Sequence, residues 1–316
     1  MRRCLCCGGK IDDHGLNGWH RSCIKSFFST DCLPKIEINE KELESIASQN
    51  VNRRVTVPGV QKKLSIHLDS REKNGRLTLV GYPTGYIFKP EEKGFESMPM
   101  MEWLAMGMAK MSGVSVVPNA LLENGQGYAY ITKRIDRIIE GSEVKKLAME
   151  DFCQLDSRLT SDKYKGSYER CAKIIIKHSS RAIFDLTELY MRVLVSFAIG
   201  NSDMHLKNLS LIETGCGSGE YVLSPAYDIL PMNVVMPEDE EEFALTLNGK
   251  KKNVTKNDFL IFGERCGLAK TAVIKMMKKI VSIEDKYVEI CKESLLPAEM
   301  KERFVALIKS RCDRLK

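Results

Sequence analysis

Long hydrophobic runs are missing from this sequence of 316 residues. The longest candidate, around residues 189–199, is broken by Arg192 and falls short of the roughly 18 apolar residues that a membrane-spanning helix needs. The first residues are basic, but no apolar segment of signal-peptide length follows them. We therefore expect neither membrane insertion nor secretion and predict a cytoplasmic protein.

A strong charge of one sign is also missing, because 48 Lys and Arg residues against 42 Asp and Glu residues leave a net charge of +6. This mild excess favours acidic partners such as nucleotides or RNA without specifying one, so phosphate or nucleic-acid binding has to be argued from local motifs. The 43% hydrophobic and 28% charged residues are typical of a globular protein. The length predicts about two domains.

A cysteine spacing that would indicate a disulfide framework is not found. Of the 11 cysteines, five lie in the first 32 residues and the others are scattered singly. This distribution favours reduced thiols in a reducing compartment. Internal repeats and low-complexity segments are also absent from the sequence.

The periodicity of apolar residues differs between the two halves of the chain. In the first half it predicts a meander of three short strands at residues 64–68, 76–80 and 86–89. A helix is predicted at residues 101–111 and a hairpin at residues 120–135. Upstream, residues 40–50 are predicted to form a polar helix and residues 51–59 a basic loop.

The second half is predicted to be mainly helical. Helices are expected at residues 150–155, 167–178, 186–199 and beyond residue 255, including 297–309, with a β-hairpin at residues 209–223. We therefore predict an α+β protein in three parts: a Cys/His-rich segment at 1–35, a small β-rich N-lobe at 36–137 and a helical C-lobe at 138–316.

Residues suited to phosphoryl transfer follow the predicted helix at residues 186–199. The spacing of Asp203 and Asn208 lets one loop present a proton-accepting carboxylate and a metal-binding amide. A second carboxylate, Asp228, follows the predicted hairpin, and Mg²⁺ prefers such oxygen ligands. This order of elements is that of protein kinases. The alternative is that all three are ordinary turn residues.

A kinase also needs a lysine on a strand of the small lobe, and Lys89 stands at a strand end. Glu102 on the following helix is placed to pair with it, although a solvent-facing glutamate is equally compatible with this position. The basic loop at residues 56–63 can offer backbone N–H groups to phosphates. Its single glycine, Gly59, does not make the kinase sequence G-x-G-x-x-G.

Taken together, six motifs resemble those of HipA-type toxin serine/threonine kinases over roughly residues 50–310. They are Val57-Pro-Gly-Val-Gln-Lys-Lys, Tyr86-Ile-Phe-Lys-Pro, Thr132-Lys-Arg-Ile-Asp-Arg, Met149-Glu-Asp-Phe-Cys-Gln, Gly200-Asn-Ser-Asp-Met-His-Leu-Lys-Asn and Pro225-Ala-Tyr-Asp. The resemblance implies a bilobal protein-kinase-like fold and the use of ATP with Mg²⁺. It also implies phosphorylation of an aminoacyl-tRNA synthetase, which inhibits translation, and neutralisation by a HipB-like antitoxin. DNA would be contacted only through that antitoxin, and no membrane partner is expected.

The same resemblance implies roles for individual residues. Asp203 would be the catalytic base, Asn208 and Asp228 the Mg²⁺ ligands, and Lys89 a contact to the ATP phosphates. Further ATP contacts are expected at Thr56, Gly59, Gln61, Lys62, Glu102, His205 and Lys207. The last two also fit a role as polar loop residues that orient their neighbours.

Two departures from the family pattern concern regulation. Thr56 stands where family members autophosphorylate a serine, and Pro58 replaces a second serine of some short forms. Threonine keeps a hydroxyl, so autophosphorylation is expected at Thr56.

Roughly 50 residues precede the phosphate loop, as in the short HipT-like kinases, and this suggests a separate HipS-like small subunit.

Near the amino terminus, metal-ligating side chains form two closely spaced pairs, Cys4 with Cys7 and His20 with Cys23. Two such pairs match a tetrahedral structural zinc site, and we expect a zinc-knuckle-like extension. Cys6 and His14 are competing ligands. The alternative is that these thiols are free on a frayed terminus.

Three functions are compatible with these motifs. The first is a toxin-type protein kinase, the second a zinc-dependent regulatory or nucleic-acid-binding pseudokinase, and the third a small-molecule kinase of the same fold. A pseudokinase usually lacks at least one residue of the catalytic set, whereas Lys89, Asp203, Asn208 and Asp228 are all present. This favours an active kinase.

Overall fold

The computed structural model of the chain describes residues 3–11, 17–36, 63–69, 76–78, 85–95, 97–125, 127–140 and 143–316. Two compact units divide the chain: Met1–Trp103 with Val117–Val144, and Leu104–Val116 with Lys145–Lys316. Most described strands belong to the first unit and most helices to the second, so the predicted α+β class is confirmed. The helix expected at residues 40–50 and the basic loop at 51–59 lie outside the described residues.

Six strands of the first unit form one sheet. They are β1 Lys35–Ile36, β2 Leu64–Asp69, β3 Arg76–Thr78, β4 Tyr86–Lys89, β5 Asn119–Asn124 and β6 Gly127–Lys133. Their order is β1-β3-β2-β4-β6-β5, with β1 and β3 parallel and the other neighbours antiparallel. The predicted meander is wrong in one respect, because β4 pairs with β2 and not with β3. Alternation of apolar residues predicts where a strand lies but not which strand it pairs with.

The sheet is held together by a row of directly opposed apolar side chains. Leu64 lies opposite Phe88, Phe88 opposite Ile131, and Ile131 opposite Ala120. All four are buried. Such cross-strand contacts stabilise a sheet in the way that i, i+4 contacts stabilise a helix. The sheet therefore provides a firm support for the end of β4, where Lys89 lies.

Among its described residues, the first unit contains all or part of two helices. They are α1 Arg21–Phe28 and α2 Met98–Met111, and the residues of α2 are divided between the two units. Met101, Leu104 and Met108, whose spacing predicted the helix, are buried. The apolar face of α2 is thus the buried one, as its pattern requires.

Five further strands follow, and one of them corrects the sequence prediction. β7 Arg137–Glu140 pairs with β8 Glu143–Lys146, and β9 Met149–Asp151 joins β10 Ser210–Glu213 and β11 Tyr221–Leu223 in the order β11-β10-β9. A helix at residues 150–155 was expected, but only Phe152–Leu155 (α3) is helical. Ser210 pairs with Asp151 and fixes β9 as a strand, while the Asp151 side chain accepts a hydrogen bond from the Gln154 amide and starts α3. Pairing with a distant strand has overridden the local pattern.

Seven α-helices follow α3 and complete the second unit. They are α4 Tyr168–His178, α5 Ala182–Ile199, α6 Met232–Val235, α7 Lys256–Arg265, α8 Lys270–Ser282, α9 Glu284–Lys292 and α10 Ala298–Asp313. The predicted helices at 167–178, 186–199 and 297–309 correspond to α4, α5 and α10. Buried aromatic rings such as Tyr190, Phe197 and Phe259 form the core between them. Among the described residues, every helix is too short or too polar to span a bilayer.

The start of α7 carries a buried carboxylate. Asp258 accepts hydrogen bonds from the Thr255 backbone and hydroxyl at 2.8 Å, and from Asn248 and Lys250 at 3.0 Å. Burial by itself would raise the pKa of Asp258, but these hydrogen bonds outweigh burial and hold that pKa well below its usual range. Asp258 is therefore ionised in the folded protein at neutral pH.

Candidate functional site

The loop that carries Asp203 and Asn208 begins where α5 ends. Gly200 ends the helix with φ of +71°, a conformation that glycine adopts without steric cost. A Cβ atom at this position would lie 2.9 Å from the Leu307 side chain. Behind it, the Asn201 amide donates to the Ser196 carbonyl at 2.8 Å, and Leu206–Asn208 form a 3₁₀ turn that leads into β10. Backbone contacts therefore fix both the start and the end of the loop.

Asp203 is half-buried in this loop, and its carboxylate accepts a hydrogen bond from a hydroxyl group. Tyr164 donates a hydrogen bond to Asp203 Oδ1 at 2.8 Å. The His205 ring packs edge-on against Tyr164, with 5.1 Å between ring centroids. Burial raises the pKa of Tyr164, and the Asp203 charge raises it further, so this phenol keeps its proton and donates it. Asp203 is thus oriented to accept a hydrogen bond from a hydroxyl.

Asn208 and Asp228 lie side by side, as their proposed role requires. Asn208 Nδ2 donates to Asp228 Oδ2 at 3.2 Å. Asn208 Oδ1 is buried, and within the described residues it has no hydrogen-bond partner. Asp228 has φ of +61°, a conformation that is uncommon for residues other than glycine and that occurs often at functional sites. Amide and carboxylate oxygens are the ligand types that Mg²⁺ takes, so this pair fits such an ion.

The segment that leads to Asp228 is anchored by a buried arginine. Arg192 on α5 donates to the Ser224 carbonyl at 2.6 Å and to Glu188 Oε1 at 3.0 Å. Burial lowers the pKa of Arg192, but the neighbouring carboxylate counters this effect. Tyr227, next to Asp228, donates to the Lys207 carbonyl at 3.1 Å. The segment before Asp228 is therefore tied to α5 by Arg192 and to the loop that carries Asn208 by Tyr227.

Lys207 is already engaged by a carboxylate of the second unit. Its ammonium group lies 2.5 Å from Asp151 Oδ2, at the end of β9. His205 is buried beside Tyr164. The structure therefore places both residues around the loop as supports, and their expected contacts with ATP stay a prediction.

In the first unit, Lys89 and Glu102 form a buried ion pair. Lys89 Nζ lies 2.6 Å and 2.8 Å from the two carboxylate oxygens of Glu102, and the two residues are only 3% and 1% exposed. The Tyr130 ring lies 5.2 Å from the same ammonium group. A solvent-facing Glu102, the alternative left open by the sequence, is not what the structure shows.

The remaining predicted residues fall in two places. Cys4, Cys7, His20 and Cys23 come together in the first unit, with their ligand atoms within 4.8 Å of one another. Cys6 is not part of that group. His14 and the phosphate-loop residues Thr56, Gly59, Gln61 and Lys62 lie outside the described residues.

Sequence reasoning missed Tyr164 and Arg192. Tyr164 precedes Asp203 by 39 residues, and Arg192 precedes Ser224 by 32 residues. No spacing rule connects residues so far apart. For Arg192 a signal was available, since a charged residue inside an otherwise apolar helix needs a buried partner.

A comparison with known families shows which family the chain belongs to. The HipA-like C-terminal domain matches residues 55–287, which is most of the chain, and the protein therefore belongs to this family. The resemblance read from the motifs is confirmed.

Two similar relatives carry the word kinase in their names. "Putative kinase" of Haemophilus influenzae is 25% identical over 300 residues, with 84% of this chain and 82% of the relative covered. "Putative kinase Y4dM" of Sinorhizobium fredii is 31% identical over 245 residues and 72% of this chain, but the chain spans only 58% of that relative's length.

Two solved structures share the fold. A chain of the Shewanella oneidensis MR-1 toxin–antitoxin complex of HipA, HipB and operator DNA matches with a TM-score of 0.70 and 20% identity, over 90% of this chain and 73% of that one. The Helicobacter pylori proinflammatory kinase CtkA matches with a TM-score of 0.53 and 15% identity, over 79% of this chain and 93% of that one. The predicted kinase-like fold is therefore confirmed.

Proposed function

We propose that the protein is an ATP- and Mg²⁺-dependent serine/threonine protein kinase and the toxin of a toxin–antitoxin pair. The observation that carries the proposal is the arrangement on one loop of Asp203, which receives a hydroxyl hydrogen bond, and Asn208, which contacts Asp228. Family membership and the buried Lys89–Glu102 pair support it. In kinases an equivalent lysine–glutamate pair must be in place for phosphoryl transfer.

The residues have distinct tasks in the proposed reaction. Asp203 accepts the proton of the acceptor hydroxyl while that oxygen bonds to the γ-phosphorus of ATP and the bond to the β-phosphate oxygen breaks, releasing ADP. Asn208 and Asp228 would hold Mg²⁺, which when bound neutralises charge on the phosphates. Lys89 would contact the phosphates, and Glu102 would keep its ammonium group in position. Thr56, Gly59, Gln61 and Lys62 would add phosphate-loop contacts.

The proposed biological role follows from the family. A relative of the same fold is found in complex with HipB and operator DNA, which supports an antitoxin partner for this chain and a connection to DNA only through that partner. An aminoacyl-tRNA synthetase is the proposed substrate, with loss of translation as the result. A HipS-like small subunit and autophosphorylation at Thr56 are proposed on the resemblance alone.

The direct test is the substitution Asp203→Asn. It keeps the shape of the side chain but removes the proton-accepting carboxylate, so transfer of the γ-phosphate from labelled ATP to protein should fall by about 10²-fold or more. Binding of MgATP, measured by calorimetry, should remain because Asp203 faces the acceptor. Asp228→Asn should instead weaken MgATP binding.

The matched control is Asp162→Asn, since Asp162 lies in the neighbouring 3₁₀ turn and pairs only with the exposed Lys165 among the described residues. This variant should retain wild-type transfer and binding. Wild-type transfer by Asp203→Asn would refute the assignment. Growth arrest by the wild type without a new phosphorylated synthetase residue in the proteome would refute the substrate class. Mass spectrometry of the protein after incubation with ATP tests whether Thr56 is autophosphorylated.

A further inference from the structure

Three thiols and an imidazole converge in a part of the first unit that the phosphoryl-transfer chemistry does not use. The ligand atoms of Cys4, Cys7, His20 and Cys23 all lie within 4.8 Å of one another. All three cysteines are free thiols. Two of the ligands come from a tight turn near the amino terminus, and the other two from the start of α1.

Backbone amides of the turn and of the start of α1 point at the sulfur atoms. The Gly9 amide donates to Cys7 Sγ at 3.4 Å, and the His20 amide donates to Cys4 Sγ at 3.5 Å. Gly8, with φ of +72°, allows the reversal that brings them there. Thiolate sulfur, the form of cysteine that binds metal ions, accepts amide hydrogen bonds of this kind.

The His20 ring is oriented as a ligand. Its Nε2 lies 2.8 Å from the Lys10 carbonyl oxygen, which can only accept, so Nε2 carries the proton and Nδ1 presents its lone pair. That lone pair faces two sulfurs, Cys7 Sγ at 3.4 Å and Cys23 Sγ at 3.7 Å. A tetrahedral zinc ion, with bonds of about 2.3 Å to sulfur and 2.0 Å to nitrogen, separates such atoms by about 3.5 Å.

We propose that these four residues bind one structural Zn²⁺ ion, which holds the amino-terminal segment against the sheet of the first unit. The amino-terminal segment comprises residues 3–11 and 17–34. Four protein ligands fill the tetrahedral shell and leave no position for a reactive water, so the role is structural. The proposal is independent of the proposed kinase activity.

Residues adjacent to the ligands cover the edge of the sheet at β5. The Leu121 amide donates to the carbonyl of Leu5, which lies between two of the ligands, at 2.8 Å. Trp19, next to His20, donates from Nε1 to the Leu121 carbonyl at 3.1 Å and is fully buried. Both backbone groups of Leu121 are therefore satisfied by the segment, which blocks an otherwise open strand edge.

The helix that follows the last ligand adds an aromatic contact. Phe27 and Phe28 place their ring centroids 5.9 Å and 5.5 Å from that of Tyr86 on β4, and the Tyr86 hydroxyl donates to the Phe27 carbonyl at 3.2 Å. A segment this short has little core of its own beyond these contacts, so metal binding supplies much of its order. Loss of the ion should release these contacts.

The first experiment measures metal content in the full chain purified without chelators. One zinc per chain is expected from the ligand count, and Cys7→Ser or Cys23→Ser should lose most of it. Cys32→Ser is the matched control, because Cys32 is an exposed thiol of the same segment outside the ligand group. Absence of zinc, undiminished zinc in Cys23→Ser, or a disulfide between two of the ligands would overturn the proposal.

A second measurement keeps the proposal testable if the cysteine variants do not fold. Wild-type protein is stripped with a chelator and reloaded with Co²⁺, and the visible bands of tetrahedral cobalt with thiolate charge-transfer absorption are expected. A spectrum of octahedral cobalt without thiolate bands would count against the four-ligand site.

The holding role has its own readout. The chain has two tryptophans, so Trp103→Phe leaves Trp19 as the single emitter. Removal of zinc should shift the Trp19 emission to the red and speed hydrogen exchange at the Leu121 amide, and added zinc should reverse both changes. Unchanged emission and exchange after complete zinc removal would overturn the role in holding the segment, and wild-type protein suffices for the exchange measurement.

Discussion

Replacing Glu102 by leucine should strongly destabilise the first unit, although the Lys89–Glu102 pair contributes little net stability. Lys89 Nζ and Glu102 Oε1 are 2.6 Å apart. At an effective dielectric constant of about 20, their attraction is about 6 kcal/mol. Burying each ion costs several kcal/mol, so attraction and desolvation nearly cancel.

Removing only one partner leaves the other charge buried without the opposite charge that lies 2.6 Å away in the wild type. Lys89 is 3% exposed, and water cannot replace the lost carboxylate without opening the structure. We therefore expect Glu102→Leu, and likewise Lys89→Met, to lower the free energy of unfolding by about 3–5 kcal/mol. The double variant Lys89→Met with Glu102→Leu should return to within about 1 kcal/mol of wild type, because two apolar side chains of similar volume pack without charge.

The assay is a double-mutant cycle from urea unfolding, combined with a separate measurement of MgATP binding. The double variant should be stable yet unable to bind MgATP at wild-type affinity, since the proposed phosphate contact of Lys89 is gone. Lys110→Met serves as the control, because Lys110 is an exposed lysine on α2. A Glu102→Leu cost below about 1 kcal/mol, or additive costs in the double variant, would refute the reasoning.

Two further predictions concern the second unit. Gly200→Ala should destabilise this unit by more than Gly217→Ala. Both glycines have φ near +70°, and the left-handed conformation alone costs an alanine about 1–2 kcal/mol at either position, but only the new Cβ at position 200 would meet the Leu307 side chain, at 2.9 Å. Equal urea midpoints of the two variants would contradict the role of that contact. Asp258→Asn should destabilise the protein at pH 7. Since the pKa of Asp258 is lowered by folding, its contribution is present above the unfolded pKa of about 4 and is lost as the pH falls. The difference between the urea midpoints of wild type and variant should therefore shrink steadily as the pH falls below about 4 and vanish only below the lowered pKa of the folded state, and a constant difference would contradict this account.

Part of the fold and site could be predicted because local order determines it. The spacing of Met101, Leu104 and Met108 follows the helical period, and these residues are buried in α2. Asp203 and Asn208 sit five positions apart, so their common loop follows from chain connectivity. Asn208 and Asp228, assigned to one metal ion from the order of kinase elements, lie within hydrogen-bond distance of each other, and their metal binding stays a prediction.

The helix expected at residues 150–155 shows where local information fails. The apolar pattern there fits a helix, yet Asp151 pairs with Ser210, which is 59 positions away, and Met149–Asp151 form a strand. The same limit explains the wrong partner of β4. Strand pairing depends on which distant segments bury the most surface together, and a local pattern does not contain that information.

The sequence by itself determined the residue types, their spacing within each loop and helix, and the family that these motifs define. Only the tertiary structure decided that Tyr164 donates to Asp203, that Arg192 holds the Ser224 carbonyl, and that Trp19 reaches Leu121. The physical reason is that spacing rules act over a turn of helix or a pair of strand positions, whereas these contacts join residues 39, 32 and 102 positions apart. Such contacts form only when packing of the whole unit brings the two segments together.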